Sequence, residues 1–383
     1  ELEYCITVIQ SFGKVSGMKL NKAKCEGLWL GSWKYRQNEC NLLEIKWPAN
    51  PIKCLGIQIG HDTQECERLN WWDKINKMEI LLENWKRRDL TYFGKVQVIK
   101  SLALSNITYV AACCPIPSID IIAKINKVLF SFIWGNTEKI KRKNLICKKE
   151  EGGINMIDVE SQFYALKAAW VPRIIDNVGQ EHWKELPNMY FRRLGNNYQI
   201  LKCNVWKSGC CPQIKTLPKF YQEVVVGFNK SKSLSEREFI DNLSDQPLFG
   251  NTYVTYTSNR QIKTLYFMNW IRSDVTYIRD LRVVNGHIDT QYLYNRISNK
   301  ANIYAEILLL QKCIHPYIEL IGSQEPEERN KDDLLYLHMG EYIDIHDKKS
   351  KFFYNNLLSK SKERSNFEKQ WSHRFNDIEI NYE

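Results

Sequence analysis

Three apolar stripes follow one another at helical spacing between residues 72 and 134, and each runs into its own stop signal. Trp72, Ile75, Met78, Leu82 and Trp85 share one face, and the cluster Lys86, Arg87 and Arg88 suits the negative end of that helix dipole. Asp89 or Thr91 can cap the next helix, over about 92–112, which Pro115 and Pro117 stop. Ser118 can cap a third, 119–134, with Ile122, Ile125, Leu129, Phe132 and Ile133 on its face and Gly135 past its end. Amphipathic helices joined by short connections bury their stripes against one another, so a small bundle is predicted.

Upstream, apolar residues at 2, 5, 6, 9 and 12 form another helix face. It runs into a lysine-rich turn with Lys19, Lys22 and Lys24, where Gly17 and Asn21 suit the bend. Residues 25–30 read as a strand. The alternation of Ile52, Cys54, Ile57 and Ile59 between Pro51 and Gly60 reads as a second, half-buried strand. The lysine turn either meets phosphate or is a solvated surface loop.

After the bundle, Lys139, Lys141, Arg142, Lys143, Lys148 and Lys149 cluster without an intervening acid. The apolar segment Asn144–Cys147 and the Gly152–Gly153 turn predict a strand pair bearing a basic stripe, which is a phosphate-binding candidate or a solvated charged turn. Asp158 can cap a helix to about Trp170, where Pro172 kinks or ends it. Beyond 178 the pattern loosens. Pro218 can open a helix over 219–228, Asn285–Gly286 looks like a hairpin turn, and 265–271 and 303–313 are helix candidates, the second ended by Pro316. Residues 322–350 read as a polar linker, and 352–358 and 367–375 as a short helical tail with Trp371.

A chain of 383 residues can bury a substantial core, and its net charge of +10 points toward a polyanion. No apolar run reaches bilayer length and no signal peptide opens the chain, so it is expected to be soluble and intracellular, without a membrane partner. Its twelve cysteines include no C-x-x-C pair, and free thiols acting as small hydrophobes account for them better than zinc or disulfides. There is no phosphate-cradling G-x-x-x-x-G-K-S/T, no G-x-S-x-G and no H-E-x-x-H.

SGMKLNKAK, at 16–24, resembles the palm segment that follows the catalytic aspartates in reverse transcriptases of LINE-type (non-LTR) retrotransposons, through Ser16, Gly17, Lys19, Leu20, Asn21 and Lys24. Leu55, Gly56 and Ile57 match the Leu-Gly-Ile that ends the next motif, a short hairpin called the primer grip. Where the family commonly has an aromatic before that Leu, this chain has Cys54. Trp85, Arg88, Leu90, Thr91, Gly94 and Lys95 match the start of the family's thumb, and Pro117, Asn126, Phe132, Trp134 and Gly152–Gly153 continue the match in order.

The resemblance implies a mainly α fold with a small β component. Residues 1–60 would be the end of an α/β polymerase palm with the primer-grip hairpin, 61–175 a helical thumb with the basic strand pair, and 176–383 a mostly helical connector with the linker. It implies a part of an RNA-directed DNA polymerase that grips an RNA template and a DNA primer, works with the upstream palm and fingers of the same polyprotein, and acts in the cytoplasm and nucleus.

The implied nucleic-acid contacts are Lys19, Lys22, Lys24, Leu55, Gly56, Arg87, Arg88, Gly94, Lys95, Lys141, Arg142 and Lys143. The family's Asp-Asp turn lies upstream of the segment matched at Ser16, so no catalytic or metal-binding residue is expected here; magnesium belongs to the intact enzyme. Asp332–Asp333, in a polar stretch, suits a cap or solvent role. A non-enzymatic RNA- or DNA-binding protein derived from such an element, and a helical interaction scaffold, are the alternative readings.

Overall fold

The computed structural model describes residues 2–35, 45–47, 51–135, 140–176, 181–195, 198–204, 211–232, 235–326, 335–338 and 341–361. The fold is mainly helical, and its small β component is a set of two-stranded antiparallel hairpins. The chain forms two compact units, Glu1–Cys113 with Pro117–Met156, and Cys114–Ile116 with Ile157–Glu383.

The first unit opens with α1 (Leu2–Ser16), whose apolar face leaves Tyr4, Val8, Ile9 and Phe12 exposed. Residues 25–30 do not form the expected strand. Lys22–Lys24 is a single 3-10 turn, and the chain then makes an isolated parallel bridge between Glu26 and Lys46. Trp29 stacks with Trp47 at 4.5 Å and with Trp33 at 5.7 Å, so indole packing rather than a ladder organises this stretch.

The segment read as one alternating strand is a hairpin: β1 (Ile52–Cys54) pairs with β2 (Ile57–Ile59). The alternation holds within each strand, but its phase slips by one between Cys54 and Ile57, which are partners across the two-residue turn.

α2 (Thr63–Lys86) is capped by Asp62, whose carboxylate accepts from the amides of Gln64 and Glu65. Trp71, Ile75, Met78 and Leu82 form its buried stripe; Trp72, assigned to that stripe by spacing, lies a step round the helix and is exposed. Thr91 caps α3 (Tyr92–Val98). The expected continuous helix to 112 is broken by a π-turn at Ile99–Ala103, after which α4 (Ser105–Cys113) leaves at a bend of 49°.

α5 (Ile119–Trp134) has the predicted bounds and buries Ile125, Leu129, Phe132 and Ile133 with Ile121 and Val128, whereas Ile122 is only half-buried. Ser118 stands at its N-cap, but its side chain accepts no cap bond; its own amide donates to Glu67. The strand pair predicted from the basic cluster is absent. Arg142–Ile146 forms a short helix, α6, followed by a 3-10 turn at Lys149–Glu151. Buried Leu145 anchors it, its carbonyl accepting from Ile154 and Met156. Lys139 lies outside the described residues.

In the second unit Asp158 caps α7 (Val159–Ala168), and α8 (Trp170–Ile175) follows with Pro172 in its first turn, where no amide partner is lost. Then come α9 (Glu185–Arg192), α10 (Gln199–Lys202) and α11 (Lys219–Lys232). α11 packs so closely on α7 that a Cβ at Gly227 would meet the Tyr164 carbonyl oxygen at 2.7 Å.

A second core follows α12 (Glu236–Asp241). It holds the hairpin of β3 (Thr255–Ser258) with β4 (Gln261–Thr264), α13 (Met268–Arg272), the hairpin of β5 (Val283–Val284) with β6 (His287–Ile288), α14 (Thr290–Arg296) and α15 (Ile303–Ile321). Asn285–Gly286 is the turn that the sequence predicts. The expected helix at 265–271 begins only at Met268. Pro316 does not end α15; it lies inside the helix at an exposed position.

The stretch read as a polar linker is not one throughout. β7 (Leu337–His338) pairs with β8 (Glu341–Tyr342), and Tyr336 and Ile345 are buried. The Tyr336 hydroxyl donates to Ser231 and accepts from Asn356 of α16 (Ser350–Ser361), which ties this stretch to α11. The tail at 367–375 and Asp332–Asp333 lie outside the described residues.

Candidate nucleic-acid interface

The β1–β2 hairpin closes on Leu55 and Gly56, at φ 47° and 85°. Positive φ at both turn positions matches the twist of the flanking strands. Glycine takes this conformation freely; leucine does so at a cost of about 1 kcal/mol. Leu55 is nonetheless 85% exposed, an apolar side chain held out to solvent by a strained residue. No residue of either strand is buried.

What fixes the hairpin is Asn70 of α2, itself 7% exposed. Its carboxamide oxygen accepts from the Gln58 amide at 2.7 Å, and its nitrogen donates to the Gln58 carbonyl at 3.0 Å. A side-chain amide thereby serves as a third strand, one residue long. Asn70 was invisible to sequence reasoning because a polar residue beside two tryptophans carries no motif.

Cations and aromatic rings gather around α3, α5 and α6. The Lys95 ammonium donates to the Ile133 carbonyl at 3.0 Å, at the end of α5, and lies 5.7 Å from the Tyr92 ring. Arg142 packs its guanidinium 4.6 Å from the Phe130 ring, and Lys149 lies 4.7 Å from that of Phe93. Tyr92 and Phe93 are exposed at 44% and 49%.

Lys100, in the π-turn, is half-buried. Burial, with the Lys149 charge near it, holds its ammonium below the ordinary lysine range. Lys149 is the far end of the basic cluster read from the sequence, whereas Phe93 and Lys100 were not among the candidate residues, and Lys100 depends on the π-turn.

The other candidates are distributed differently. Lys19, Lys22 and Lys24 are exposed on the segment after α1. Arg87 and Arg88 are exposed at the end of α2, with the Arg88 guanidinium 4.5 Å from the Trp85 ring. Lys141 and Lys143 flank Arg142 on the exposed side of α6. The Gly94 amide donates to the Thr91 hydroxyl at 3.2 Å, and an added Cβ would make only ordinary contacts, so the fold does not require glycine there.

Part of the positive charge is structural. Lys167, Lys184, Lys202 and Lys232 are buried in the second unit. Lys167 donates to the Cys114 carbonyl, Lys184 to that of Asp176, and Lys232 to those of Leu201 and Cys203. These ammonium groups satisfy backbone oxygens rather than a polyanion.

The cysteines divide as well. Cys203, Cys211 and Cys313 are buried as small hydrophobes, while Cys5, Cys54 and Cys113 are exposed thiols. Among the described residues no group of three or more His, Cys, Asp or Glu could hold a metal ion, and no single helix is long and apolar enough to cross a membrane.

No protein-family profile matches the chain. Over 260 residues, 67% of its length, the chain is 23% identical to the "Transposon TX1 uncharacterized 149 kDa protein" of Xenopus laevis. The match spans 20% of that protein. The chain is thus related in sequence to a protein encoded by a transposon.

Proposed function

We propose that the chain is part of a LINE-type reverse transcriptase and grips the RNA template and DNA primer during target-primed reverse transcription. The observation that carries this reading is the hairpin at 52–59, where the Leu-Gly-Ile of the primer-grip motif forms a turn with Leu55 held out to solvent. Similarity to a transposon protein supports the origin. Leu55 and Gly56 lie against the primer strand. Lys19, Lys22 and Lys24 contact phosphates beside the palm turn, and Arg87, Arg88 and Lys95 line the thumb. Lys141, Arg142 and Lys143 add a further phosphate contact, joined by Lys100 and Lys149. Gly94 stands in the first turn of the helix that carries Lys95.

In this reading catalysis belongs to aspartates, with magnesium and deoxynucleotides, in the palm and fingers of the same polyprotein, and the assembly works in the cytoplasm and nucleus. The test is binding of an RNA–DNA hybrid by the chain across a series of potassium chloride concentrations. Each neutralised phosphate contributes about 0.7–0.9 to the slope of log affinity against log salt. Replacing Lys141, Arg142 and Lys143 by glutamate is expected to flatten that slope by about two. An unchanged slope would take this segment out of the interface, and a salt-independent affinity would remove the grip altogether.

A further inference from the structure

A second aromatic and basic surface stands on the other unit. Tyr304, in the first turn of α15, is 62% exposed. Its ring stacks on Tyr294 of α14, with centroids 5.5 Å apart and planes 26° from parallel. Lys300, in the connection between the two helices, holds its ammonium 4.0 Å from the Tyr294 ring centre. Arg296 donates to the Tyr292 hydroxyl at 2.9 Å. One turn beyond Tyr304, Leu308 is 66% exposed, and Lys312 follows one turn later, also exposed.

The charge on this surface is mainly positive, with Arg296, Lys300 and Lys312 against one acid. Between residues 290 and 318 the acid is Glu306, and its carboxylate is engaged by the Trp270 indole nitrogen at 2.7 Å. Asp289, just before α14, accepts from the Tyr292 amide as the helix cap and faces Arg282. A protein partner suited to Tyr304 and Leu308 would ask only for apolar area. Near-parallel rings, with Lys300 on the Tyr294 ring and Arg296 on the neighbouring Tyr292, suit a flat π-system attached to a phosphodiester.

We propose that Tyr304, backed by Tyr294 and Lys300, with Arg296 and Lys312 further along α14 and α15, is a stacking platform for an unpaired base of single-stranded nucleic acid. The platform takes only its ligand class from the proposed function, and it needs neither the hairpin nor α6. A duplex, whose bases are already stacked, gains nothing from it.

The experiment uses the full chain, a fluorescein-labelled oligothymidylate of about ten nucleotides, within the usual site size for single strands, and a blunt duplex of the same length. Tyr304→Ala places a good helix former at an exposed position, so the fold is expected to keep its melting temperature. It is expected to weaken oligothymidylate binding about tenfold, the loss of one base–aromatic stack, and to leave duplex binding unchanged. Tyr304→Phe, which keeps the ring, is expected to bind like the parent. An oligonucleotide carrying 5-iodouracil is expected to crosslink to the peptide containing Tyr304.

Crosslinks confined to the first unit, with Tyr304→Ala binding like the parent, overturn the platform and leave the grip intact. Equal losses in Tyr304→Ala and Tyr304→Phe overturn stacking as its basis. Retained single-strand binding that Tyr304→Ala weakens, in a chain whose hybrid binding proves independent of residues 141–143, supports the platform while the grip reading fails there.

Discussion

Two hairpins in this chain close on a two-residue turn with both φ angles positive, and they are built for different ends. In β5–β6 the turn is Asn285–Gly286, at 50° and 74°. Asparagine tolerates the left-handed region because its short polar side chain can bond locally. Val283 and Ile288 are buried beneath that turn, and Val283 exchanges both backbone hydrogen bonds with Gln324. In β1–β2 the turn is Leu55–Gly56 at nearly the same angles, no strand residue is buried, and the anchor is Asn70. Turn chemistry gives no reason for a leucine at position 55. The first hairpin presents a side chain; the second closes a core.

That contrast can be broken in several places. The largest effect is expected from Ile288→Ala. Emptying a buried site should cost about 3 kcal/mol, read as a lowered denaturation midpoint of the second unit. Ile59→Ala in the other hairpin should barely register in the same measurement.

Asn70→Ala comes next, at about 2 kcal/mol, because the Gln58 amide and carbonyl lose their buried partners. Hydrogen exchange at the Gln58 amide should accelerate while the second unit keeps its protection, and hybrid affinity should fall. If Gln58 stays protected, Asn70 does not hold the hairpin.

The two turn residues can also be exchanged. Asn285→Leu should destabilise by about 1 kcal/mol, the strain of a left-handed leucine. Leu55→Asn should stabilise by somewhat less than that and yet weaken hybrid binding. A Leu55→Asn chain that is more stable and binds equally well would reduce the first hairpin to a plain turn. The smallest effect is expected from Ile59→Ser on the exposed strand, within about 0.5 kcal/mol in unfolding.

Local rules were legible where a residue's own chemistry decides its conformation. Thr91 and Asp158 cap helices, Gly135 follows α5, and Asn285–Gly286 turns the chain. They failed where packing outvoted pattern. The basic cluster after α5 has the short apolar run of a strand, but it forms a single helical turn on which Leu145 is the buried residue. Tyr336, read as linker because its neighbours are charged, completes a buried hydrogen-bonded set with Ser231 and Asn356. Of the candidate interface, the lysines and arginines could be named from sequence. Asn70, Phe93 and Lys100 could not, because their roles exist only once α2, α3 and α6 are placed.

By itself the sequence determined the mainly helical class, the positions of most helices in the first unit, and a net charge suited to nucleic acid. These follow from periodicity, caps and composition, which act within a few residues of each other. Tertiary structure alone decided which positive charges face solvent. Lys167 and Lys232 are spent on backbone carbonyls in the core, and Lys95 reaches to the end of α5, whereas Arg87, Lys141 and Lys143 remain exposed. A lysine's sequence neighbours do not say whether its ammonium will meet water, a phosphate or a buried carbonyl; the desolvation it undergoes does, and that is set by packing from distant parts of the chain.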